Sequence, residues 1–426
     1  MARPPRYLVS RMGGSVDFEP TARSRELIAR VAGFMQEHVY PAESVHWVQQ
    51  RGNPFDETMV VQAIRAKAKA AGLWNLFLPR EYGVNSPGLT NLEYAPLAEL
   101  MGRSEIGSAA FNCDAPDSGN METLVKYGTP KQRAQWLTPL LEGDIRSAFA
   151  MTEPDVASSD ATNIRTSIAT EGDHYVINGH KYYTSNACHA KCRILIVMGR
   201  TGTDPAQKYA QHSQVLIPLD TPGVKILRSL PVFGYDDSPG GHAEILLDNV
   251  RVPRSNLLLG EGRGFEIAQG RLGPGRIHHC MRLIGRAQRA FELMCQRAAT
   301  RLAFGRKLSE QQSVREDIAR SACEIEQARL LTFKAADRID RYGAKGAKEL
   351  IAMIKIVAPS MACDVIDRAI QIHGAAGVSA DTILARAYAY ARKTRIVDGP
   401  DQVHMMQLGR NLAAQSVRTS DPSTEH

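Results

Sequence analysis

The spacing of apolar residues divides the chain into a helical part, a strand-rich part and a second helical part. Between residues 20 and 147, apolar positions recur at the spacing that is typical of amphipathic helices. Thr129 and Pro130 follow one helical segment in the order that suits the N-cap and first turn of the next. The pattern predicts an all-α domain over residues 20–147.

Between residues 148 and 258 the apolar runs become short and rich in β-branched and aromatic residues, and Gly, Pro or Asp bounds each run. Asn178-Gly179 stands between two such runs, which is a strong hairpin signal. The pattern predicts a middle antiparallel β domain over residues 148–258.

Long amphipathic segments return after residue 262. The first of them is expected to be interrupted near Gly273 and Pro274, because proline removes a backbone donor from a helix. Long helices in series predict a four-helix-bundle domain over residues 262–418. The predicted class is therefore α+β, with an N-terminal helical domain, a middle β domain and a C-terminal bundle.

Composition narrows the function classes. The 426 residues are 43% hydrophobic and 23% charged, which is typical of globular domains, and no apolar run reaches membrane-spanning length. The net charge of +7 favours anionic partners, yet no dense Lys/Arg tract points to nucleic acid. We expect neither membrane insertion nor nucleic-acid binding.

Cysteine and motif content bears on compartment and metal binding. The seven cysteines are odd in number and irregularly spaced, which is typical of reduced thiols, and no apolar secretory region opens the chain. We therefore expect a cytoplasmic protein. Cys188 and Cys192 have no partners at zinc-finger spacing and no HExxH motif occurs, so no metal site is expected. The common glycine-rich nucleotide motifs are also absent.

Four segments together point to one family. They are FAMTEPDVASSDA at 149–161, NGHKYYTSN at 178–186, RLAFGRKLSEQQSV at 301–314, and QIHGAAGV with VDGPDQVH at 371–378 and 397–404. In this order they resemble the acyl-CoA dehydrogenase flavoproteins, over almost the whole chain. The resemblance implies the three-domain fold, FAD as cofactor and an acyl-CoA substrate. It also implies that a carboxylate removes the α proton while hydride passes from the β carbon to flavin N5.

Asp398 stands where the family usually has its glutamate base. Its side chain is one methylene shorter, so it reaches about 1.5 Å less far. Taken without the resemblance, Asp398, Gly399 and Pro400 would be interpreted as a simple turn. Asp401 is the nearby competitor for the role of base.

The resemblance implies two sets of FAD contacts. The first set would act within one chain: Phe149, Met151, Thr152, Ser159, Tyr183 and Ser185, and Pro400 and Gln402 are further expected FAD contacts next to the base. Among them, Ser185 keeps a hydroxyl that can donate a hydrogen bond near N5. The second set would reach the FAD of a neighbouring subunit: Arg301, Phe304, Gln312, Gln371, Gly374 and Ala375. A homodimer or a dimer of dimers is therefore expected, with an electron-transfer flavoprotein as the electron acceptor.

The same resemblance implies a set of substrate contacts. The acyl-CoA is expected to meet Ser159, Gly273, Pro274, Gly275, Arg276, His278 and Gly399. Glycine in this set would allow close approach of the backbone to the ligand. One extra residue in the stretch PDVASSD leaves the register from Asp155 to Ser159 open by one position.

The stretches MTEPDVASSDA, APDSGNME, RLGPGRIHHCMR and DGPDQVH are similar to one branch, whose animal members are fused to an aminoglycoside-phosphotransferase-like kinase domain. That branch is associated with 4-hydroxyacyl-CoA catabolism, so a 4-hydroxy- or 4-phosphoacyl-CoA is the expected substrate. His278 or His279 would then meet the phosphate, and a pair of helix-packing histidines is the alternative.

Two other functions stay open. A flavin oxidase of the same superfamily can also use an aspartate base. A DNA-binding flavoprotein of the superfamily is less expected, since such proteins use an added basic C-terminal region and this chain instead closes on SDPSTEH.

Overall fold

Helices form the first part of the chain in the computed structural model, which describes residues 18–202 and 204–420. The α-helices are α1 (Ala22–Phe34), α2 (Glu43–Gln50), α3 (Met59–Ala70), α4 (Asn91–Gly102), α5 (Gly107–Ala110), α6 (Asp117–Tyr127), α7 (Pro130–Gln132) and α8 (Thr138–Glu142). Short π-helical turns cover Met35–Val39 and Arg133–Leu137, and 3-10 turns cover Tyr40–Ala42 and Arg80–Asn85.

The predicted helix start at Thr129 is confirmed. The Thr129 hydroxyl accepts from the backbone N–H of Gln132 at 3.2 Å, and the Gln132 side chain accepts from the Thr129 N–H at 2.9 Å. This reciprocal capping box satisfies two donors that a helix start leaves unpaired, with Pro130 in the first turn.

A seven-stranded sheet follows. Its strands are β1 (Arg146–Ala150), β2 (Ser167–Glu171), β3 (His174–Ser185), β4 (Cys192–Arg200), β5 (His212–Pro218), β6 (Val224–Ser229) and β7 (His242–Pro253). Their order is β1-β4-β2-β3-β7-β6, and β5 pairs with β4. The predicted fold class is confirmed, and the sheet is antiparallel at β2–β3, β3–β7, β4–β5 and β6–β7. Strand β1 instead runs parallel to β4. Parallel pairing needs a long connection between the two strands, and the segment that contains β2 and β3 supplies it.

The predicted hairpin at Asn178-Gly179 is wrong. Both residues lie inside β3, whose register against β7 shifts between Ile177 and Gly179, and the tight turn is instead at Gly172. A Cβ on Gly179 would lie 2.2 Å from the Thr166 hydroxyl oxygen. The glycine therefore serves the close packing of a neighbouring side chain at a strand irregularity.

Six α-helices and a small hairpin complete the described chain. They are α9 (Gly264–Thr300), strands β8 (Leu302–Ala303) and β9 (Arg306–Lys307), then α10 (Gln312–Gly346), α11 (Lys348–His373), α12 (Ala375–Val378), α13 (Leu384–Thr394) and α14 (Asp401–Ser420). Single 3-10 turns cover Ala161–Asn163, Pro205–Ala210, Arg254–Asn256 and Leu308–Glu310.

Helix α9 is continuous, so the predicted interruption near Gly273 and Pro274 is wrong. The side chains of these two residues lie outside the described part of the structure. Ile267 before them and Ile277 and Met281 after them belong to one hydrophobic core. Burial of about 1.5–3 kcal/mol per large apolar side chain on both halves outweighs the roughly 3 kcal/mol that a proline costs a helix.

The two helical parts share that core, while the sheet has a second core of its own. Helices α4 and α9 touch through glycines. A Cβ on Gly102 would lie 2.3 Å from the Cα of Arg282, and a Cβ on Gly285 would lie 1.9 Å from the carbonyl oxygen of Glu99. Glycine at both positions lets the helices approach closely, and this fixes where α9 presents its polar residues. Among the described residues, no helix is long and apolar enough to cross a membrane.

Candidate active site

One cavity of about 1060 Å³ lies between the sheet and helix α9. Residues at the ends of β1 and β3 line one side, and residues of α9, α13 and the loop after α13 line the other. Many residues that the sequence predicts for the site meet there: Phe149, Met151, Thr152, Ser159, Tyr183, Ser185, Gly275, Arg276, His278, Asp398, Gly399 and Pro400. The fold thus brings the expected base and the expected cofactor contacts to one volume.

The sheet wall of the cavity consists of Phe149, Met151, Thr152, Tyr183 and Ser185. Because β1 ends at Ala150, Met151 and Thr152 continue from the end of a strand into the cavity. Tyr182 donates its backbone N–H to the Thr152 carbonyl at 2.9 Å, and the Thr152 hydroxyl donates to the Tyr182 carbonyl. Tyr183 follows at a register shift of β3 with a φ of 51°. None of these five side chains is charged, although Arg146 of β1 and Asp237 of the loop before β7 also line the cavity.

The sequence leaves the alignment around Ser159 open by one position, and the structure of the loop after β1 bears on which serine contacts the ligand. The Ser158 hydroxyl accepts from the backbone N–H of Glu153 at 2.9 Å, so it closes the loop on itself. Ser159 is exposed at the rim of the cavity. Of the two serines, Ser159 is therefore the better placed to contact a ligand.

The helix wall consists of Arg276, His278, His279, Arg282 and Asp398. Asp398 lies in the turn after α13, with φ of 57°, and Gly399 follows with φ of 98°. Lys355 of α11 donates to the carbonyl of Val397 at 2.8 Å and also to that of Thr394. Arg276 Nε donates to the carbonyl of Asp398 at 3.2 Å. These bonds from two helices fix the turn that carries Asp398.

The carboxylate of Asp398 is stabilised by its neighbours. Burial alone would raise its pKa, but the adjacent His279 ring and the positive charges of Lys355, Arg271 and Arg276 act against burial and leave the pKa below its ordinary value. The side chain of Asp398 is only 18% exposed. Asp398 is therefore an ionised, nearly buried carboxylate that faces the cavity.

His279 directs a proton towards that carboxylate. Burial and the charge of Arg282 lower the pKa of His279 to about 3, so its ring is neutral. An Arg282 Nη2 lies 3.1 Å from His279 Nδ1, and a guanidinium can only donate, so Nδ1 accepts. The ring proton is therefore on Nε2, which lies 3.4 Å from Asp398 Oδ2.

The inner end of the cavity is strongly polar. Arg282 is buried, and its Nε and Nη1 have no hydrogen-bond partner among the described residues. Both ring nitrogens of buried His278 also have none in that part of the chain, and its ring meets Tyr94 edge-on at 4.8 Å. Arg286 stacks on Tyr390 at 3.9 Å, and Lys393 lines the same region. Unpaired buried donors are costly, so this end fits a polar or anionic ligand group.

Other predicted residues lie elsewhere in the single chain. None of the following lines the cavity: Arg301, Phe304, Gln312, Gln371, Gly374, Ala375 and Gln402. Phe304 is 99% exposed in the turn of the β8–β9 hairpin. Asp401, the competitor of Asp398, is buried and accepts from Arg395 Nε at 2.7 Å outside the cavity lining.

Sequence reasoning missed residues that shape the site. A lone lysine in a helix is usually solvated, yet the place of Lys355 in the apolar run IAMIKIVA signals burial. No comparable signal marks Arg271, which covers the Phe149 ring at 4.3 Å, His242, which lies against Ser185, or Asp237, which lies against His242. Their roles depend on long-range packing.

Comparison with known protein families decides the identity of the fold. The N-terminal, middle and C-terminal domains described for acyl-CoA dehydrogenases match residues 21–144, 148–250 and 262–413. The chain belongs to the acyl-CoA dehydrogenase family. As a member, it is an FAD-dependent oxidoreductase.

Individual relatives agree with this assignment. The protein named probable acyl-CoA dehydrogenase FadE2 of Mycobacterium tuberculosis is 57% identical over 93% of this chain and 96% of its own length. Human acyl-CoA dehydrogenase family member 11 is 51% identical over 92% of this chain, which spans 50% of that longer protein. A solved Mycobacterium abscessus structure described as an acyl-CoA dehydrogenase is 49% identical, with a TM-score of 0.90 over 93% of this chain and 100% of its own. The predicted similarity to the animal branch is thereby confirmed.

The sheet wall fits the flavin of an acyl-CoA dehydrogenase. Tyr183 offers an aromatic surface, and the hydroxyl oxygens of Thr152 and Ser185 can accept hydrogen bonds from N–H groups of a heterocycle. The five side chains of this wall are uncharged, which suits an uncharged ring system, while the Arg271 guanidinium covers the Phe149 ring. Phe149 and Met151 supply the apolar part of the surface.

Proposed function

We propose that this protein is an acyl-CoA dehydrogenase in which Asp398 removes the α proton of an acyl-CoA thioester. The observation that supports this is the ionised carboxylate of Asp398, held at the cavity on a turn that is bonded to two helices. FAD, when bound, supplies the hydride acceptor. The α proton passes to Asp398, the hydride leaves the β carbon, and a double bond forms between the two carbons.

The helix wall prepares Asp398 for this step. A carboxylate whose pKa is lowered is available as a base at neutral pH, and exclusion of water by the bound acyl chain would strengthen its charge interactions. Because the aspartate is shorter than a glutamate, its reach is set by the turn, which Lys355 and Arg276 hold in place. We assign Phe149, Met151, Thr152, Tyr183, Ser185 and Pro400 to the FAD side of the cavity.

We assign the CoA part of the substrate to the mouth of the cavity. Ser159 is exposed at the rim, and Gly275 and Gly399 border the cavity near Arg276. A Cβ on Gly275 would meet nothing within 4 Å, so the backbone there is open to a ligand. Arg276 uses Nε for the Asp398 turn, and the rest of its guanidinium can meet an anionic group.

We further propose that the acyl chain bears a polar substituent at C4, either a hydroxyl or a phosphate. This is supported by the unpaired buried nitrogens of Arg282 and His278 at the inner end of the cavity. A simple alkyl chain would leave these groups desolvated and unpaired, whereas an anionic group would satisfy them.

We propose that Arg301, Phe304 and Gln312, together with Gln371, Gly374 and Ala375, contact the FAD of a second copy of the chain. Two features support this: these residues lie away from the chain's own cavity, and Phe304 presents a nearly fully exposed aromatic ring. Such a ring is unfavourable on a free surface and suits an interface. Gln402, exposed at the start of α14, is assigned to the same junction. An electron-transfer flavoprotein is the proposed acceptor.

Anaerobic reduction of the bound flavin tests the function. The purified FAD-loaded protein is mixed with straight-chain, 4-hydroxy and 4-phospho acyl-CoAs, and loss of the visible flavin absorbance is followed. We expect bleaching by one class, its loss in Asp398→Asn, and its retention in Asp401→Asn, the neighbouring carboxylate. Absence of bleaching by every acyl-CoA in a flavin-loaded protein contradicts the proposal. Peroxide formation in air would then favour the oxidase, and salt-resistant duplex binding would favour the DNA-binding function.

A further inference from the structure

Four polar side chains form a connected path across the cavity from the sheet to helix α13. Ser185 Oγ lies 2.9 Å from His242 Nδ1, and His242 Nε2 lies 2.9 Å from Asp237 Oδ2. Asp237 in turn forms an ion pair with Lys393 of α13. All four residues line the cavity, and Lys393 lies in the last turn of α13, directly before the turn that carries Asp398. The path therefore joins the sheet wall to the segment that carries the proposed base.

The donors and acceptors in this path have one consistent direction. The Lys393 ammonium can only donate and the Asp237 carboxylate can only accept. A contact of 2.9 Å between the carboxylate and His242 Nε2 requires the proton on Nε2, and the longer Lys393–Nε2 distance of 3.4 Å does not compete with it. Burial lowers the pKa of His242 to about 4, so the ring is neutral and holds one proton. His242 Nδ1 is thus an acceptor.

We propose that His242, oriented by Asp237 and Lys393, is a positioning residue that takes the hydroxyl proton of Ser185 in a hydrogen bond and leaves the Ser185 oxygen facing the cavity as an acceptor. This reverses the expectation from sequence that Ser185 donates near flavin N5. An acceptor pairs with a ligand N–H and repels a bare ring nitrogen. Flavin N5 bears a hydrogen only in the reduced cofactor, so the arrangement favours reduction. This inference rests on the proposed placement of the flavin beside Ser185.

The tautomer of His242 can be measured without turnover. In a protein labelled with ¹⁵N-histidine, NMR separates a ring protonated on Nε2 from one protonated on Nδ1 or on both. The His242 signals are assigned by their loss in His242→Gln. We expect the Nε2–H tautomer, with Nδ1 unprotonated, across roughly pH 5 to 8. An Nδ1–H tautomer or an imidazolium in that range would overturn the proposal.

The reduction potential of the bound FAD supplies the second readout. Ser185→Ala, His242→Gln and Asp237→Asn are each expected to shift the reduction equilibrium towards the oxidised form by up to about tenfold, or about 30 mV for two electrons. His242→Asn, which can keep an acceptor at the Nδ1 position, is expected to restore much of the potential. His180→Gln is the matched control. His180 lies on β3, the strand that carries Ser185, and pairs with Glu244 at 2.8 Å outside the cavity lining.

The outcomes separate this inference from the proposed function. A higher potential in His242→Gln, or no change there while Ser185→Ala shifts, would contradict the positioning role although the enzyme still reduces its flavin. Failure of wild type to bind FAD would contradict the placement of the cofactor instead. If His242→Gln does not fold, the tautomer in wild type and the potential of Asp237→Asn still decide the question.

Discussion

The two walls of the cavity are built by the same chain around one volume, yet they differ in charge. The sheet wall presents an aromatic ring, hydroxyls and apolar groups, and the helix wall presents a carboxylate among several cations. A neutral, hydrogen-bonding surface suits a heterocycle that must be held in two redox states. A charged surface suits the removal of a proton beside a thioester. Under the proposed function, cofactor binding and acid–base chemistry are divided between two structural layers that only packing brings together.

The largest effect should come from neutralising the helix wall at its centre. Asp398→Asn keeps the shape of the side chain and removes its basicity, so the rate of flavin reduction by acyl-CoA should fall by about 10²–10⁴-fold. Stopped-flow absorbance under anaerobic conditions measures this rate. Flavin binding, which belongs to the sheet wall, should be unchanged. Loss of flavin from Asp398→Asn would contradict the assignment of flavin binding to the sheet wall. Reduction at the wild-type rate would contradict the assignment of proton removal to Asp398.

The next effect concerns the close contact between α4 and α9, the helix that carries most residues of the helix wall. Gly285→Ala would set a Cβ 1.9 Å from the carbonyl oxygen of Glu99 and force α4 and α9 apart, which should lower the free energy of unfolding by about 1–3 kcal/mol. Denaturant titration gives this value. Gly275→Ala on the same helix is the control, since nothing lies within 4 Å of its Cβ position. There the change should be neutral or stabilising by about 0.5–1 kcal/mol.

A smaller effect concerns the choice of substrate by Arg282 at the inner end of the helix wall. Arg282→Met removes a buried cation with two unpaired nitrogens, so the preference for a polar over an unsubstituted acyl-CoA should drop by about 1–3 kcal/mol, or about 5–150-fold in the ratio of kcat/KM. Stability should change little or rise, because burial of the charge is relieved. Arg289→Met, which breaks a surface-side pair with Glu43, should leave that ratio unchanged. Equal loss for both substrates would argue against selection by Arg282.

The smallest effect is a shift in pH dependence. His279 is foremost among the groups that hold the pKa of Asp398 below its ordinary value, so His279→Gln should raise that pKa. A base with a lowered pKa is active above it and is lost as pH falls through it. The acidic limb of the kcat/KM profile should therefore move to higher pH in His279→Gln, by less than about one unit. A shift towards lower pH would contradict the assignment of His279.

Sequence reasoning reached the order of elements and singled out Asp398, the proposed base, which lines the cavity, and it failed where distant residues meet. The cap at Thr129 was predictable because it depends on four consecutive residues. Gly179 was misread as a turn because its neighbour Thr166 approaches from another segment, and α9 was expected to break because its buried faces were unknown. The sequence motifs predict most residues of the sheet wall. The roles of Lys355, His242 and Asp237 depend instead on contacts between segments that are distant in the chain.

The core shared by the two helical parts has a consequence for how the chain becomes ordered. Apolar residues of α4 pack against α9, and the whole sheet lies between them in the chain. A ribosome therefore releases the first helices long before their packing partner exists. Closing so long an intervening segment adds only a modest entropic penalty, but until α9 emerges the face of α4 that packs against α9 remains uncovered. The newly made N-terminal half is thus the species most exposed to aggregation and to chaperone capture, and its folding waits on the last third of synthesis.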